Sequence, residues 1–203
     1  MATPITHIFL AEQFLKTQGS SFDEAEFVVG TSFPDIRYLG VIQRELTHVA
    51  EPSLDDVLHA QSFQAGMLFH SLVDFERELA VNRNHLYDLF SPSQYQTQAL
   101  KFYEDELVYG QIDSWERIKS FFREVWPGET QFPINVLSIE QWHIILQAYL
   151  SSGPSNDTRQ ALLTELGFSA AAVNEINHLV AEIKMSETIS HRVKGYLHWP
   201  ISS

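Results

Sequence analysis

His70 and Asp74, four positions apart, are the residues of this chain whose types and spacing most directly suggest chemistry. Residues i and i+4 of an α-helix project from the same face, so the imidazole and the carboxylate can point at one ion. Three more residues of metal-ligating type precede them, in the order His7, Asp35 and His48. Imidazole and carboxylate donors together suit zinc or a similar divalent metal. The sequence therefore predicts a metal site.

These donors could serve two ions if Asp74 bridges them and His7 helps to hold the second. Two metal ions about 3.5–4 Å apart can activate water and hold both the attacking and the leaving oxygen of a phosphoryl displacement. Phosphoester hydrolysis is the reaction that such a set would serve best. Each residue also has a structural interpretation. His70 and Asp74 could be a hydrogen-bonded pair in a buried helix, Asp35 a turn residue and His48 a surface or capping histidine.

The elements that must position these residues are predicted to be helices. Apolar spacing and cap signals predict helices at residues 4–18, 22–29, 53–82, 93–110, 113–126, 138–151, 156–166 and 169–190, with the first ending before Gly19. Gly30 is expected to end the second helix, and Pro34 to hold Phe33 extended, which leaves Asp35 on a turn. His48 is expected in a short helix or an ordered loop. The fold class is all-α, a single compact bundle of seven to nine helices over residues 1–203, with the metal-site motifs in residues 1–80.

Composition limits the classes of function. The chain has 203 residues, 44% of them hydrophobic, which is enough for one sizeable core. Its 13 Lys and Arg against 26 Asp and Glu give a formal charge of -13, which opposes stable binding of nucleic acid or of anionic membranes. Nine histidines and no cysteine favour imidazole over thiolate ligands. No apolar stretch of about 18 residues and no basic leader are evident, so a cytoplasmic protein without a transmembrane segment is expected.

Four segments in the first eighty residues follow one another in an ordered pattern. They are Thr6-His7-Ile8, Gly30-Thr31-Ser32-Phe33-Pro34-Asp35, Thr47-His48 and Ala65-Gly66-Met67-Leu68-Phe69-His70-Ser71-Leu72-Val73-Asp74. In order and spacing they resemble the zinc-dependent phospholipase C family and the related trinuclear zinc single-strand nucleases. The resemblance covers roughly residues 4–80, about two fifths of the chain.

The resemblance implies an all-helical fold and a role for each matching residue. It implies that one zinc is held by Asp35, His48, His70 and Asp74. It further implies that His7 helps to hold a second zinc, bridged by Asp74. Asp35 is also implied as the catalytic residue that orients or deprotonates the attacking water.

Two departures from the family pattern reduce the expected number of metals. The family has a histidine where this chain has Ala80, and it begins with a tryptophan whose amine and carbonyl bind metal, whereas this chain begins with Met1. A replacement ligand could come from His178 with Glu182, which have helical spacing, or from His85. A site of one or two metals is therefore expected.

Two functions remain open at this point. The first is a metal-dependent phosphoester hydrolase resembling zinc-dependent phospholipase C, with zinc or another divalent transition metal as cofactor. Its substrate could be a small phosphoester or a phospholipid head group. The second is a non-catalytic metal-binding or scaffold protein that keeps the fold. The complete first-zinc set favours the enzyme, and Ala80 favours the scaffold. The sequence does not decide the oligomeric state.

Overall fold

Every regular element in the described part of the chain is a helix. The structure, a computed structural model, describes residues 3–18 and 21–197. Within these ranges there are ten α-helices, several short 3-10 helices and no strand. The α-helices are α1 (Pro4–Gln18), α2 (Glu24–Ser32), α3 (Leu54–His59), α4 (Ser62–Arg83), α5 (Gln96–Val108), α6 (Trp115–Ser120), α7 (Val136–Ser152), α8 (Asn156–Glu165), α9 (Ala170–Met185) and α10 (Glu187–Leu197). The all-α prediction is confirmed, and the predicted stop at Gly19 lies outside the described residues.

The described residues hold more helices than the seven to nine predicted, because two predicted helices are each divided. The predicted 53–82 helix is interrupted at Ala60, whose ψ of 163° is extended, and α4 begins two residues later. Ser53 and Asp56 form a reciprocal capping box that starts α3. The predicted 169–190 helix is interrupted at Ser186, with ψ of 105°. Neither break contains glycine or proline, the usual sequence signals of a helix end.

The segment that carries Asp35 also differs from its prediction. Gly30 does not end α2, which continues through it, and Phe33 has helical dihedral angles (φ −65°, ψ −40°) instead of extended ones. Asp35 therefore lies in a 3-10 helix, Phe33–Leu39, and not on a turn. Proline is tolerated in the first turn of a helix because its missing N–H would be unpaired there. Pro34, the second residue of this helix, therefore does not break it.

Helix α4 lies at the centre of the N-terminal half and packs most extensively against α2. Two glycines explain how close these helices are. A Cβ on Gly30 would lie 2.1 Å from the carbonyl oxygen of Phe63, and one on Gly66 would lie 2.2 Å from the carbonyl oxygen of Phe27. Only glycine permits such an approach of two main chains. This contact fixes the C-terminal turns of α2 beside the first two turns of α4, just before His70 begins the metal-site motif.

Aromatic packing fixes α1 against the same pair of helices. The ring centroid of Phe14 on α1 lies 5.5 Å from that of Phe27 on α2 and 5.0 Å from that of Phe69 on α4. All three side chains are buried. Aromatic contacts at such distances add to the stabilisation that burial of the rings provides. They hold the N-terminal turn of α1, with His7, over the face of α4 that carries His70.

Helices of the C-terminal half contact the segments that carry His7 and Asp35. On α7 the buried Trp142 donates its indole N–H to the carbonyl oxygen of Ser32 at 3.2 Å, directly before the 3-10 helix of Asp35. Helix α5 packs between α1 and α9, which joins the two halves. Over the described residues, no helix combines the length and the apolar character needed to cross a bilayer.

Candidate metal centre

Five side chains from four segments of the chain converge at one buried point, and we call them the His/Asp cluster. His7 comes from the first turns of α1, Asp35 from the 3-10 helix, His48 from the loop after a short 3-10 turn, and His70 and Asp74 from α4. Each of the five side chains is at most 7% exposed. The structure thus brings together all five residues that the sequence singled out.

The polar atoms of the cluster lie within a few ångströms of one another. The Nε2 atom of His70 is 3.9 Å from Asp35 Oδ1 and 3.7 Å from Asp74 Oδ2. The Nε2 atom of His7 is 3.5 Å from Asp74 Oδ1, and that of His48 is 3.9 Å from Asp74 Oδ2. These separations are too long for hydrogen bonds. They are close to the spacing of about 3.4 Å between donors of a tetrahedral zinc site with bonds of about 2.0–2.1 Å.

Two overlapping sets of donors could each hold a metal ion. One consists of His7, His70 and Asp74, the other of Asp35, His48 and His70, and in each set the donor atoms lie within 4.8 Å of one another. The rings of His7 and His70 stack with centroids 3.9 Å apart and an angle of 12° between planes, while His48 meets His70 edge-on at 4.9 Å. Both sets share His70, which places it at the centre of the cluster.

Several of the converging atoms have no hydrogen bond within the described residues, although they are buried. They are the Nε2 atoms of His7, His48 and His70 and the Oδ1 atom of Asp35. A buried polar atom left without a partner costs about 1–3 kcal/mol, and native proteins contain few of them. Four such atoms facing one point therefore require an explanation, and the donor types fit a divalent cation.

His48 and His70, which share a donor set with Asp35, are held in the orientation that a metal ligand needs. His70 Nδ1 lies 2.8 Å from the main-chain carbonyl of Thr31, so Nδ1–H donates there and Nε2 keeps its lone pair. His48 Nδ1 lies 2.9 Å from Thr47 Oγ1. The Thr47 hydroxyl can donate to the carbonyl of Arg44 at 3.2 Å, which leaves its oxygen free to accept from His48. Such second partners fix the tautomer and the ring orientation of metal-ligating histidines.

Electrostatics keep both of these imidazoles neutral near pH 7, as metal binding requires. Burial, helped by the nearby His7, lowers the pKa of His70 well below its usual value. Burial and the charge of Arg44 lower the pKa of His48 to about 3. Burial and repulsion by Asp74 raise the pKa of Asp35. A cation at the centre would stabilise the carboxylate form of Asp35 and offset this repulsion.

The replacement ligands considered for the position of Ala80 do not join the cluster. Glu182 accepts hydrogen bonds from the main-chain N–H of Ser91, at 2.9 Å, and from its hydroxyl. His178 is exposed on α9. His85 is 77% exposed and lies 3.5 Å from Asp88. Within the described residues, none of these candidates therefore supplies a further ligand to the cluster.

The cluster borders two cavities with different linings. The outer cleft has a volume of about 470 Å³, and its lining residues include Arg44, Glu45, His48, Val49, Asp74 and Phe75. The inner pocket is smaller, about 40 Å³, and is largely apolar, with Asp35 as the cluster member in its wall. The cluster therefore borders the cleft through His48 and Asp74, and the pocket through Asp35.

Sequence reasoning missed Lys101, which lies in the wall of the inner pocket beside Asp35. Lys101 is 3% exposed on α5, and burial together with repulsion by Arg77 lowers its pKa to about 8. Its charge acts on Asp35 and Asp74 across elements far apart in sequence. A lysine among Phe102, Tyr103 and acidic residues has the pattern of a helix surface, so no local signal could have identified it.

The chain was compared with protein-family models, with curated proteins and with solved structures, and none of the three comparisons finds a match. The class of protein therefore rests on its own geometry. It is an all-α protein in which two buried sets of histidine and aspartate side chains could hold a metal ion.

Proposed function

We propose that this protein is a metal-dependent phosphoester hydrolase whose His/Asp cluster holds one or two divalent ions, with zinc as the first candidate. The observation that carries the proposal is the convergence of buried nitrogen and oxygen acceptors that lack hydrogen bonds within the described residues. Core polar groups that serve only stability are normally paired with each other. Among the described residues, the donors face a common point at which a cation would complete their bonding.

Each donor has an assigned place in the proposal. Asp35, His48, His70 and Asp74 hold the first ion, since the Nε2 atom of His70 faces both carboxylates. His7 and Asp74 hold the second ion. The nearest Asp74 oxygen to His7 is Oδ1, whereas His48 and His70 lie nearest to Oδ2. Asp74 can bridge, since its two oxygens face different imidazoles.

The reaction is hydrolysis of a phosphoester bond. A bound divalent ion would supply Lewis-acid polarisation of the phosphoryl group and would activate water. The water oxygen forms a bond to phosphorus while the bond from phosphorus to the alcohol oxygen breaks. Asp35 positions this water and can take its proton, and the departing alkoxide takes a proton from solvent.

The outer cleft provides an approach for an anionic substrate despite the acidic composition. Arg44 lines this cleft together with His48 and Asp74. Its charge acts on the site, because it contributes to the lowered pKa of His48. A phosphate entering the cleft thus meets a cation next to the donors, within a chain of formal charge -13. The pairing of Arg with phosphate is strong when it is bidentate.

Metal analysis of the purified protein and an assay with bis-p-nitrophenyl phosphate test the proposal together. We expect bound zinc and metal-dependent release of p-nitrophenol, both lost in His70→Ala and Asp74→Ala. His143→Ala is the matched control, because His143 is buried in a separate pair with Glu129. That variant should keep its metal and its turnover. Failure to bind any divalent metal would overturn the proposal.

One observation favours the second candidate function, a metal-binding scaffold without turnover. The position that holds a zinc ligand in the resembling enzymes is Ala80 here, and none of the candidate replacements reaches the cluster. In that case zinc would bind at full occupancy without hydrolysis of diesters, monoesters, lipids or single-stranded nucleic acid. Loss of metal in His70→Ala without any activity in the native protein would establish this function instead.

A further inference from the structure

The inner pocket reaches the cluster independently of the outer cleft. None of the residues that line one cavity also lines the other. Its apolar walls come from α5, α7 and the end of α8 with the loop that follows. They are Phe102, Trp142, Leu162, Leu163, Leu166 and Phe168.

The lining of the pocket ranges from buried to half-buried residues. At its buried end are Asp35 and Lys101, which are 5% and 3% exposed. Leu166 and Phe168, in contrast, are only half-buried, and we infer from this exposure that they form the outer end of the pocket. A ligand group held between these two ends would have its inner end against Asp35, beside the metal donors. The buried cation of Lys101 would face any anionic group held there.

One polar atom in the pocket wall points to a ligand with a hydrogen-bond donor. The side-chain oxygen of Gln98 is buried and has no hydrogen-bond partner among the described residues. The indole N–H of Trp142, by comparison, is already bonded to the carbonyl of Ser32. A hydroxyl group at the free end of a short ligand would satisfy Gln98 and recover part of the cost of its burial.

The volume of the pocket limits the size of the ligand. A cavity needs about 10–15 Å³ for one water-sized group, so about 40 Å³ accommodates roughly three such groups. That corresponds to an alkyl chain of about three carbon atoms. A long acyl chain would not fit without displacement of the walls.

We propose that the inner pocket binds the apolar ester group of a small phosphoester, an alkyl group of about three carbons that can carry a terminal hydroxyl. This inference rests on the proposed function, since it places the phosphoryl group at the His/Asp cluster. The pocket then acts as the specificity site. It favours short alkyl phosphoesters over methyl esters, which leave it unfilled, and gains nothing from longer chains, whose further carbons exceed it.

Isothermal titration calorimetry with a series of alkylphosphonates on zinc-loaded protein tests the proposal. Burial of one methylene group is worth about 0.8 kcal/mol, so each carbon from methyl to propyl should tighten binding about fourfold. Hexylphosphonate should bind no better than propylphosphonate. A flat series, or a gain that continues to hexyl, would overturn the proposal.

Two substitutions separate the pocket from the cluster. Leu166→Trp narrows the outer end and should abolish the gain from methyl to propyl without weakening methylphosphonate, whose unchanged affinity shows that the variant is folded. Leu137→Trp, at a position 70% exposed on α7, is the matched control and should leave the series unchanged. Gln98→Leu should remove any preference for 3-hydroxypropylphosphonate over propylphosphonate. Equal effects of the Leu166 and Leu137 variants would contradict the assignment.

Failure of this proposal can be distinguished from failure of the proposed function. Hydrolysis of bis-p-nitrophenyl phosphate with a flat alkyl series would overturn the pocket assignment alone. Without any hydrolysis or metal binding, the pocket can still be tested by NMR titration of metal-free protein with methanol, 1-propanol and 1-hexanol. We expect 1-propanol to shift the indole resonance of Trp142, and Leu166→Trp to abolish the shift. No shift in this titration would overturn the pocket as an apolar site.

Discussion

The His143–Glu129 pair and the His/Asp cluster both combine imidazole and carboxylate side chains in buried surroundings. In the pair, His143 Nε2 lies 2.8 Å from Glu129 Oε1, and Glu129 Oε2 accepts the main-chain N–H of Trp126 at 2.8 Å. In the cluster, the nearest contacts between imidazole nitrogens and carboxylate oxygens are 3.5–3.9 Å. The pair satisfies its own polar groups, whereas the Nε2 atoms of the three cluster histidines have no hydrogen bond within the described residues.

This difference indicates what each group does. A paired histidine and glutamate can fix the loop before α7 without any other component. The cluster draws donors from α1, the 3-10 helix, the loop of His48 and α4, and holds their acceptor atoms apart at the spacing that a metal ion would occupy. Burial and residue type alone do not distinguish a structural pair from a ligand site. The distances and the remaining hydrogen-bond capacity do.

The largest effect that separates the two groups is stabilisation by metal. A ligand that binds only the folded state at about a thousandfold excess over its Kd adds about 4 kcal/mol. For a chain of this size, that raises Tm by about 8–16 °C. We expect zinc to produce this increase in the native protein and in His143→Ala, and no increase in His70→Ala, as measured by differential scanning calorimetry. The same increase in all three proteins would mean that the metal binds elsewhere.

A third buried group surrounds Asp105. It shows whether a buried carboxylate that accepts several hydrogen bonds stabilises the folded state. Asp105 accepts from the N–H and hydroxyl of Thr6 and from the hydroxyl of Tyr149, at 2.7–2.9 Å. All three donors are neutral. Burial therefore still dominates and raises the pKa of Asp105 from 3.8 to about 6. Thr6 precedes His7, so this group anchors the start of α1 next to the cluster.

A raised pKa means that the folded state favours the protonated form. The stability that Asp105 contributes is therefore fully present below about pH 4 and is lost as the pH rises through about 6. The loss amounts to about 3 kcal/mol in the free energy of unfolding. Urea unfolding of native protein and of Asp105→Asn between pH 4 and pH 7 should show a smaller decline in the variant. An identical decline in both proteins would show that other groups cause it.

The sequence predicted the residues of the cluster better than it predicted the backbone that carries them. His70 and Asp74 share a helix face by spacing alone, and this part of the prediction required no tertiary information. To predict that α2 continues through Gly30, in contrast, would have required tertiary information. Taken locally, a glycine before Thr31 and Pro34 is typical of a helix end, whereas here it is required by the contact with Phe63.

Long-range features were not accessible from local patterns. The hydrogen bond from His70 to the carbonyl of Thr31 depends on how α2 crosses α4, and no side chain encodes it directly. The approach of Lys101 to Asp35 depends on the packing of α5 against α1. The break at Ala60 has no glycine or proline, so it follows from the caps and the packing of α3 and α4. Identity of a metal, and turnover, stay predictions.

Removal of a carboxylate should lower stability in the pair and change it little in the cluster when metal is absent. Glu129→Ala leaves His143 and the Trp126 N–H without their acceptor, which should cost about 1–3 kcal/mol. Asp35→Ala removes a buried carboxyl whose ionisation is opposed by Asp74, so metal-free stability should change by less than about 1 kcal/mol. Chemical unfolding in the presence of a chelator measures both. Equal losses would show that Asp35 is a structural residue like Glu129.

The smallest expected effect concerns the partner of His48. Thr47→Val removes the oxygen that lies 2.9 Å from His48 Nδ1 and should weaken zinc binding about tenfold, the lower end of the range for such second partners. Thr31→Val is the matched control, since Thr31 is equally buried and its hydroxyl bonds to the carbonyl of Phe27. His70 uses only the main-chain carbonyl of Thr31, which valine retains. Competition for zinc with a chelating dye should therefore show a loss of affinity in the first variant and none in the second. Equal losses in both would mean that packing near the cluster, and not the orientation of the imidazole rings, determines its affinity for metal.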